Sequence, residues 1–307
     1  SLITGVNHTV LNSNKSFVSG QVIQETSGTN NALVGESLIS SSNTNSILGG
    51  KSNNVSSSKE AMIGGEGNTI VNTNHVLVTG SSNNVSNTTA GSLVSGKSNY
   101  ENAGQNNMIG GEGQSTTTVK RSIVGGQSNT LSTSEDVFVI GKLMDINGGK
   151  KSIIGGESIT LSSSEKVFAS GLNHNISNTN QSLISGNTVN ETSGVNNALM
   201  GQLITSGTTE NSLITGKSNQ ITGSKASIMG GINNQVNNSE KVLVVGDTLS
   251  ETSGTNNALI GQSITSATTE NSIMSGKGLS ITSAKAALVA GEDHELNNSK
   301  QSVVAGH

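Results

Sequence analysis

The chain has 307 residues, a formal net charge of −4, 1% aromatic and 31% apolar residues, and no Pro, Cys or Trp. Zero Cys excludes disulfides and thiolate metal sites, and basic runs no longer than the pairs Lys120-Arg121 and Lys150-Lys151 leave no electrostatic footprint for nucleic acid. No apolar run approaches a membrane span, and low hydrophobicity without high net charge or Pro sets the chain apart from disordered sequences.

From the first residues onward the elements belong to one repeat. Gly recurs at 5, 20, 35, 50, 65, 80, 96, 111, 126, 141, 156, 171, 186, 201, 216, 231, 246, 261, 276, 291 and 306, so nineteen of twenty intervals are 15 residues and one is 16. With each Gly as position 0, the pair at +12 and +13 (three and two residues before the next Gly) is apolar in all 21 copies. It runs from Leu2-Ile3 through Ile47-Leu48, Leu93-Val94, Leu213-Ile214 and Ile273-Met274 to Val303-Val304. Position +5 is usually Val, Ile or Leu; position +3 is Asn or aliphatic. These two share a parity, so they read as the inward face of a short strand. Two short strands and two turns per 15 residues fit one coil of an all-β parallel solenoid of about twenty coils, each stacking on its neighbours for want of a core of its own. Stacking would set the +3 Asn side chains in a ladder, amide to amide. The repeated Gly marks a turn with positive φ or close packing.

Adjacent side chains in a strand point to opposite faces, so only one of +12 and +13 can enter the coil. The other forms an apolar stripe on the outside, on the order of 95 Å long at about 4.8 Å per coil. A patch of that size marks an interface. The simplest occupant is another copy of the chain in the same register. Ile47, Leu48, Leu93, Val94, Leu213, Ile214, Ile273 and Met274 stand for this core and interface packing.

Departures from the repeat follow in chain order. A variant coil reads "ETSGTNNAL" at 25–33 and recurs at 101–109, 191–199 and 251–259. It puts Glu25, Glu101, Glu191 and Glu251 at the +5 core position, and Ser40, Thr116, Ser206 and Ser266 follow at +5 one coil on. A buried lone carboxylate is costly. The favoured expectation is an early turn at Gly28, Gly104, Gly194 and Gly254 that carries the Glu outward; a buried partner is the alternative. The extra residue between Gly80 and Gly96 falls near Asn87-Thr88-Thr89-Ala90-Gly91 and must bulge. Tyr100, the lone Tyr, sits at +4 and should face solvent, whereas Phe17, Phe138 and Phe168 at +12 read as buried packing. Function in solenoids gathers where the repeat breaks, so Asn87, Thr88, Thr89, Ala90, Tyr100, Glu101 and Asn102 are the receptor-contact candidates, against the alternative of a tolerated insertion and a stray Tyr.

Catalytic signals are weak. His8, His174 and His294 occupy +3 in place of Asn, His75 lies in a turn and His307 ends the chain. No two His share a local metal spacing, no carboxylate pair is evident, and no nucleophile elbow or phosphate loop appears. No metal or cofactor is expected. Left-handed β-helix acyltransferases use a six-residue period, of which 15 is not a multiple. A lyase assembled across coils stays open, as does ice binding, although no T-x-T row runs down the chain.

The runs "NSILGG", "GSLVSG", "RSIVGG", "KSIIGG", "QSLISG", "NSLITG" and "NSIMSG" resemble the head repeat of YadA-type trimeric autotransporter adhesins. The resemblance covers essentially the whole chain. It implies a left-handed parallel β-roll, a homotrimer with the second apolar position at the trimer core, and a single head domain over 1–307. It also implies export to the bacterial outer surface and a coiled-coil stalk and membrane-anchoring barrel outside this segment. The family's "SVAIG" alanine is mostly absent here, and the 15-residue coil is long for the family. The long uninterrupted head, with its Lys and Asn bias, looks like fusobacterial members, which implies a host glycoprotein as partner, a CEACAM N-terminal immunoglobulin-like domain. A matrix-binding or self-associating head is the alternative.

Overall fold

The computed structural model describes residues 2–306 except 174, 186, 189, 191, 201, 204, 206, 209, 216, 219, 221, 224, 231, 234, 239, 249, 257, 264, 266, 269, 279 and 294; at 176, 229, 236, 244, 251 and 259 it describes the backbone alone. His174, Glu191, Ser206, Ser266, His294, His307 and the Glu251 side chain therefore lie outside the described residues. Every regular element among the described residues is a β-strand. The chain divides into two compact units, Ser1–Lys151 and Ser152–His307. Each is a parallel β-solenoid of 15-residue coils.

In the first unit each apolar pair lies in register on the pair one coil on: Phe17-Val18 against Ala32-Leu33, then Ile47-Leu48, then Met62-Ile63. A second parallel sheet stacks the other strand of each coil, from Asn54–Ser56 through Thr69–Val71, Asn84–Ser86, Tyr100–Asn102, Ser115–Thr117 and Thr130–Ser132 to Asp145–Asn147. In the second unit Phe168, Leu183, Ala198, Leu213 and Ile228 pair in the same way.

The interior repeats with the sequence. In the coil from Gly50, Asn53, Val55, Ser58, Ala61 and Ile63 are buried, at +3, +5, +8, +11 and +13. In the first unit a coil thus buries only one to three aliphatic side chains, worth about 1.5–3 kcal/mol apiece, and its stability comes from stacking. The +3 Asn residues do form a ladder, but to the main chain and not amide to amide. The Asn83 N–H donates to Asn68 Oδ1 at 3.0 Å and the Asn99 N–H to Asn83 Oδ1 at 3.0 Å. Asn83 Nδ2 donates to the carbonyl oxygens of Thr79 at 2.9 Å and Gly96 at 3.1 Å. One side chain thereby satisfies groups at two turns, which accounts for a buried amide in a thin core.

The corners explain the composition. Residues at +2, +7 and +10 adopt left-handed φ, as at Ser52 (56°), Ser57 (55°) and Glu60 (52°). Asn and Ser tolerate that region better than most residues, and Gly takes the same place at Gly67, Gly113 and Gly148. At position 0 a second demand is added. Gly65 has φ +99°, and a Cβ there would overlap the Gly80 carbonyl oxygen of the next coil.

The single irregular interval is resolved to one residue. Ser86 pairs with Val71 fifteen residues back, and the Asn74 N–H donates to the Thr88 carbonyl as the Lys59 N–H does to Thr73. Beyond it, Ala90 bridges Gln105 at fifteen residues while Leu93 pairs with Leu77 at sixteen. The inserted residue is Thr89.

Candidate functional site

Away from the first and last coils, the second apolar position of each described pair is buried and the first is exposed or half-buried. Leu48, Val94, Ile214 and Met274 are 0% exposed, whereas Ile47 and Ile273 are 52% exposed and Leu213 is 40% exposed; Leu93 is half-buried. The second position therefore fills the coil itself, and the first is the one left outside. This corrects the expectation that the second position faces a symmetry axis: the strand pleat has already committed it to the coil interior. Phe17, Phe138 and Phe168 are corrected with it, since at +12 they project outward. In the first unit the stripe runs Leu2, Phe17, Ala32, Ile47, Met62, Leu77, Leu93, Met108, Ile123 and Phe138, each stacked on the next. Exposed Val34 and Ile140, each two residues after a stripe position, widen it.

The stripe has a local gap. Gly91 stands where other coils carry a +10 side chain, and beside it an open depression of about 550 Å³ is floored by Met62, Leu77, Leu93 and Met108. Its rim carries Glu60 and His75, paired at 2.8 Å.

The second sheet presents a polar outer face. Tyr100 is exposed there, between Asn84 and Ser115. Asn87 Nδ2 donates to Asn102 Oδ1 at 3.0 Å, and Gln105 Nε2 donates to the Oγ1 of the inserted Thr89 at 2.7 Å. Asn87, Thr89, Ala90, Tyr100 and Asn102 thus lie on the accessible surface, exposed or half-buried, with Asn87 bonded to Asn102 and Tyr100 two residues before Asn102 on the same strand. Two candidates do not belong to it. Thr88 is 1% exposed and Glu101 is 0% exposed, because +8 and +5 point into the coil.

The early turn expected at Glu25 and Glu101 is likewise overturned. Both carboxyls stay inside and find a partner at E-x-x-G-x-x-N spacing. Asn31 Nδ2 donates to Glu25 Oε1 at 2.7 Å. Asn107 Nδ2 and Ser92 Oγ donate to Glu101 Oε1 at 2.9 and 3.0 Å. A Cβ at Gly28 or Gly104 would overlap the carboxyl, so these glycines make room and do not turn the chain out. The Asn six residues after each Glu was the available signal.

Burial pushes the Glu101 carboxyl pKa up, against the opposing hydrogen bonds from Asn107 and Ser92. A carboxyl whose pKa rises on folding contributes stability below its unfolded pKa and loses it as pH rises through the folded value. Glu101→Gln is therefore expected to gain on the parent protein as pH rises. Thermal melts from about pH 4 to about pH 8, spanning the ordinary carboxylate range and above, check this. A melting difference that does not change with pH would show that folding leaves the Glu101 pKa where it stands in the unfolded chain.

Exposed charges line both flanks of the stripe. Arg121 donates to Asp136 Oδ1 at 2.7 Å and also pairs with Glu135, and it holds the Asp136 carboxyl below its ordinary value. Lys97 lies 3.3 Å from Glu112. Among the described residues no three His, Cys, Asp or Glu side chains group as metal ligands, and no helix is long and apolar enough to cross a membrane.

No family model and no curated protein matches the chain. Among solved structures, a chain from Desulfovibrio desulfuricans G20 provisionally named an acetyltransferase aligns at 10% identity with a TM-score of 0.12, over 77% of this chain and 63% of its own length. The match spans less than two thirds of that chain, and a score so low carries no argument.

Proposed function

We propose that this chain is a non-enzymatic adhesin head, displayed on a bacterial surface as a parallel trimer. The observation that carries the reading is the row of outward-facing apolar side chains at +12, exposed or half-buried, on an otherwise polar coil. In the first unit alone that row is roughly 45 Å long at about 4.8 Å per coil, well beyond the isolated apolar patches of a soluble monomer. Side-by-side copies bury it along its length, and three copies give avidity to a weak contact. The resemblance of the repeat to YadA-type heads supports the trimer and the surface location. The stalk and membrane anchor belong to other parts of such a protein.

In this reading the receptor contact is the polar sheet face, with Tyr100 and Asn102, and its corner, with Asn87 and Thr89. Tyr is enriched at binding hot spots. The proposed receptor is the N-terminal immunoglobulin-like domain of a CEACAM glycoprotein. Tyr100→Ala, and separately deletion of Thr89, which restores the 15-residue period, are expected to weaken binding to that immobilised domain at least tenfold in a folded protein. Unchanged affinity in both would remove this patch from the interface. The repetition of Asn, Thr and Ser along the face favours a second reading, a matrix-binding or self-associating head, which would show similar weak affinity for many surfaces.

A further inference from the structure

Resting on the assembly proposed above, we infer that charges on the two flanks of the apolar stripe hold neighbouring copies in the same register, coil beside like coil. The stripe cannot do this alone. A 15-residue repeat offers nearly equal apolar contacts whenever one copy slips by a coil, and register is weakly specified in such repetitive surfaces.

The flanks are well defined. One is the left-handed corner at +10, just before the strand that carries the stripe; the other is +1, where longer strands such as Ser92–Lys97, Ile123–Gln127 and Phe138–Lys142 end. The charged residues on both are exposed, except Asp136, which is half-buried. When stripes face a common axis, the +10 flank of one copy meets the +1 flank of the next. At equal height a +10 residue lies between the +1 residues of its own coil and the coil after it. In the first unit this sets Glu60 by Lys51, His75 by Glu66, Arg121 by Glu112 and Asp136 by Lys142. The unfavourable neighbours are Glu60 with Glu66 and Lys142 with Lys151.

A slip of one coil in either direction changes the balance. In one direction it brings Glu60 to Glu36, His75 to Lys51, Arg121 to Lys97 and Asp136 to Glu112. In the other it removes Lys51 from Glu60 and Glu112 from Arg121, and brings Arg121 to Lys142 and His75 to Lys97. Opposite charges outnumber like charges only in equal register. Like charges across an interface suppress the wrong pairing more strongly than attractive ones tighten the right one.

The test uses the purified 307-residue chain and measures mass against concentration by sedimentation. Reversing one flank with Lys51→Glu and Glu112→Lys is expected to weaken association by about tenfold or more at 0.1 M salt. The loss should fade at 1 M salt, where the screening length falls from about 10 Å to about 3 Å. Adding Glu60→Lys and Arg121→Glu reverses the second flank and should restore association. This fourfold variant adds like-charge contacts within each chain, so recovery can come only from across the stripe. Circular dichroism establishes that each variant is folded. A parent protein that is a single chain at every concentration overturns the assembly itself. A parent that assembles, with a flank-reversed variant equally tight or a fourfold variant that does not recover, overturns the charge register and leaves the assembly standing.

Discussion

Gly65→Ala is expected to unfold its stack of coils, while Gly64→Ala next to it is expected to be nearly silent. Gly65 combines a φ of +99° with a neighbour that cannot yield, the backbone of Gly80 one coil on. That backbone is itself held, since Glu66 N–H donates to the Gly80 carbonyl at 2.9 Å and Asn68 Nδ2 donates to it at 3.1 Å. The left-handed strain alone costs about 1–3 kcal/mol, and forcing the coils apart adds the lost pairing on both sides. A total of about 4 kcal/mol or more places the change among the rare severe substitutions. Gly64 has no heavy atom within 4 Å of the position of an added Cβ, so Ala there meets open space. Thermal melts of the two variants make the comparison. Equal melting temperatures would mean that the coils can separate locally, contrary to the stacking described.

The second large effect divides the apolar pair. Leu48→Asp places an unpaired charge at a fully buried position and is expected to cost about 3–5 kcal/mol, with unfolding at every protein concentration. Ile47→Asp, one residue earlier and half exposed, should leave the coil folded. Its effect should appear in association: less assembly, and a melting temperature that no longer depends on concentration, because assembly adds stability by mass action. Concentration-dependent melts with circular dichroism separate the two. An Ile47→Asp protein that unfolds like Leu48→Asp would place +12 inside the coil and remove the stripe.

Much of this architecture was legible because a solenoid writes its geometry as a period. The spacing of Gly, the paired apolar residues and the shared parity of Asn53 and Val55 were enough to read coils, their inward strand and the exposed row. What the period did not reveal is which of Ile47 and Leu48 faces out. Both are aliphatic, and the answer depends on where the left-handed corners at Glu60 and Ser52 start and stop the strands. Those corners were hidden because non-Gly residues fill them, although the recurrence of Ser and Asn at +2, +7 and +10 carried the signal. The inward places of Ser58 and Ala61 were missed for the same reason, since small polar residues inside a coil look like loop residues in the sequence.

The candidate site was legible in part. Tyr100 and the insertion stood out as breaks in the pattern, and the insertion could be narrowed to Thr89 only through strand register. Glu101 was misplaced because desolvation argued against burial before its partners were visible. Asn107 and Ser92 answer that argument, and Gly104 supplies the room.

The most direct test of the central claim is the mass of the purified chain, by light scattering across a range of concentrations. The apolar row at +12 predicts a particle of more than one chain, which the resemblance to YadA-type heads makes three, and one that dissociates on dilution and on Ile47→Asp. A stable single chain at high concentration would contradict the claim, because the row from Leu2 to Phe138 would then stand in water with nothing to cover it.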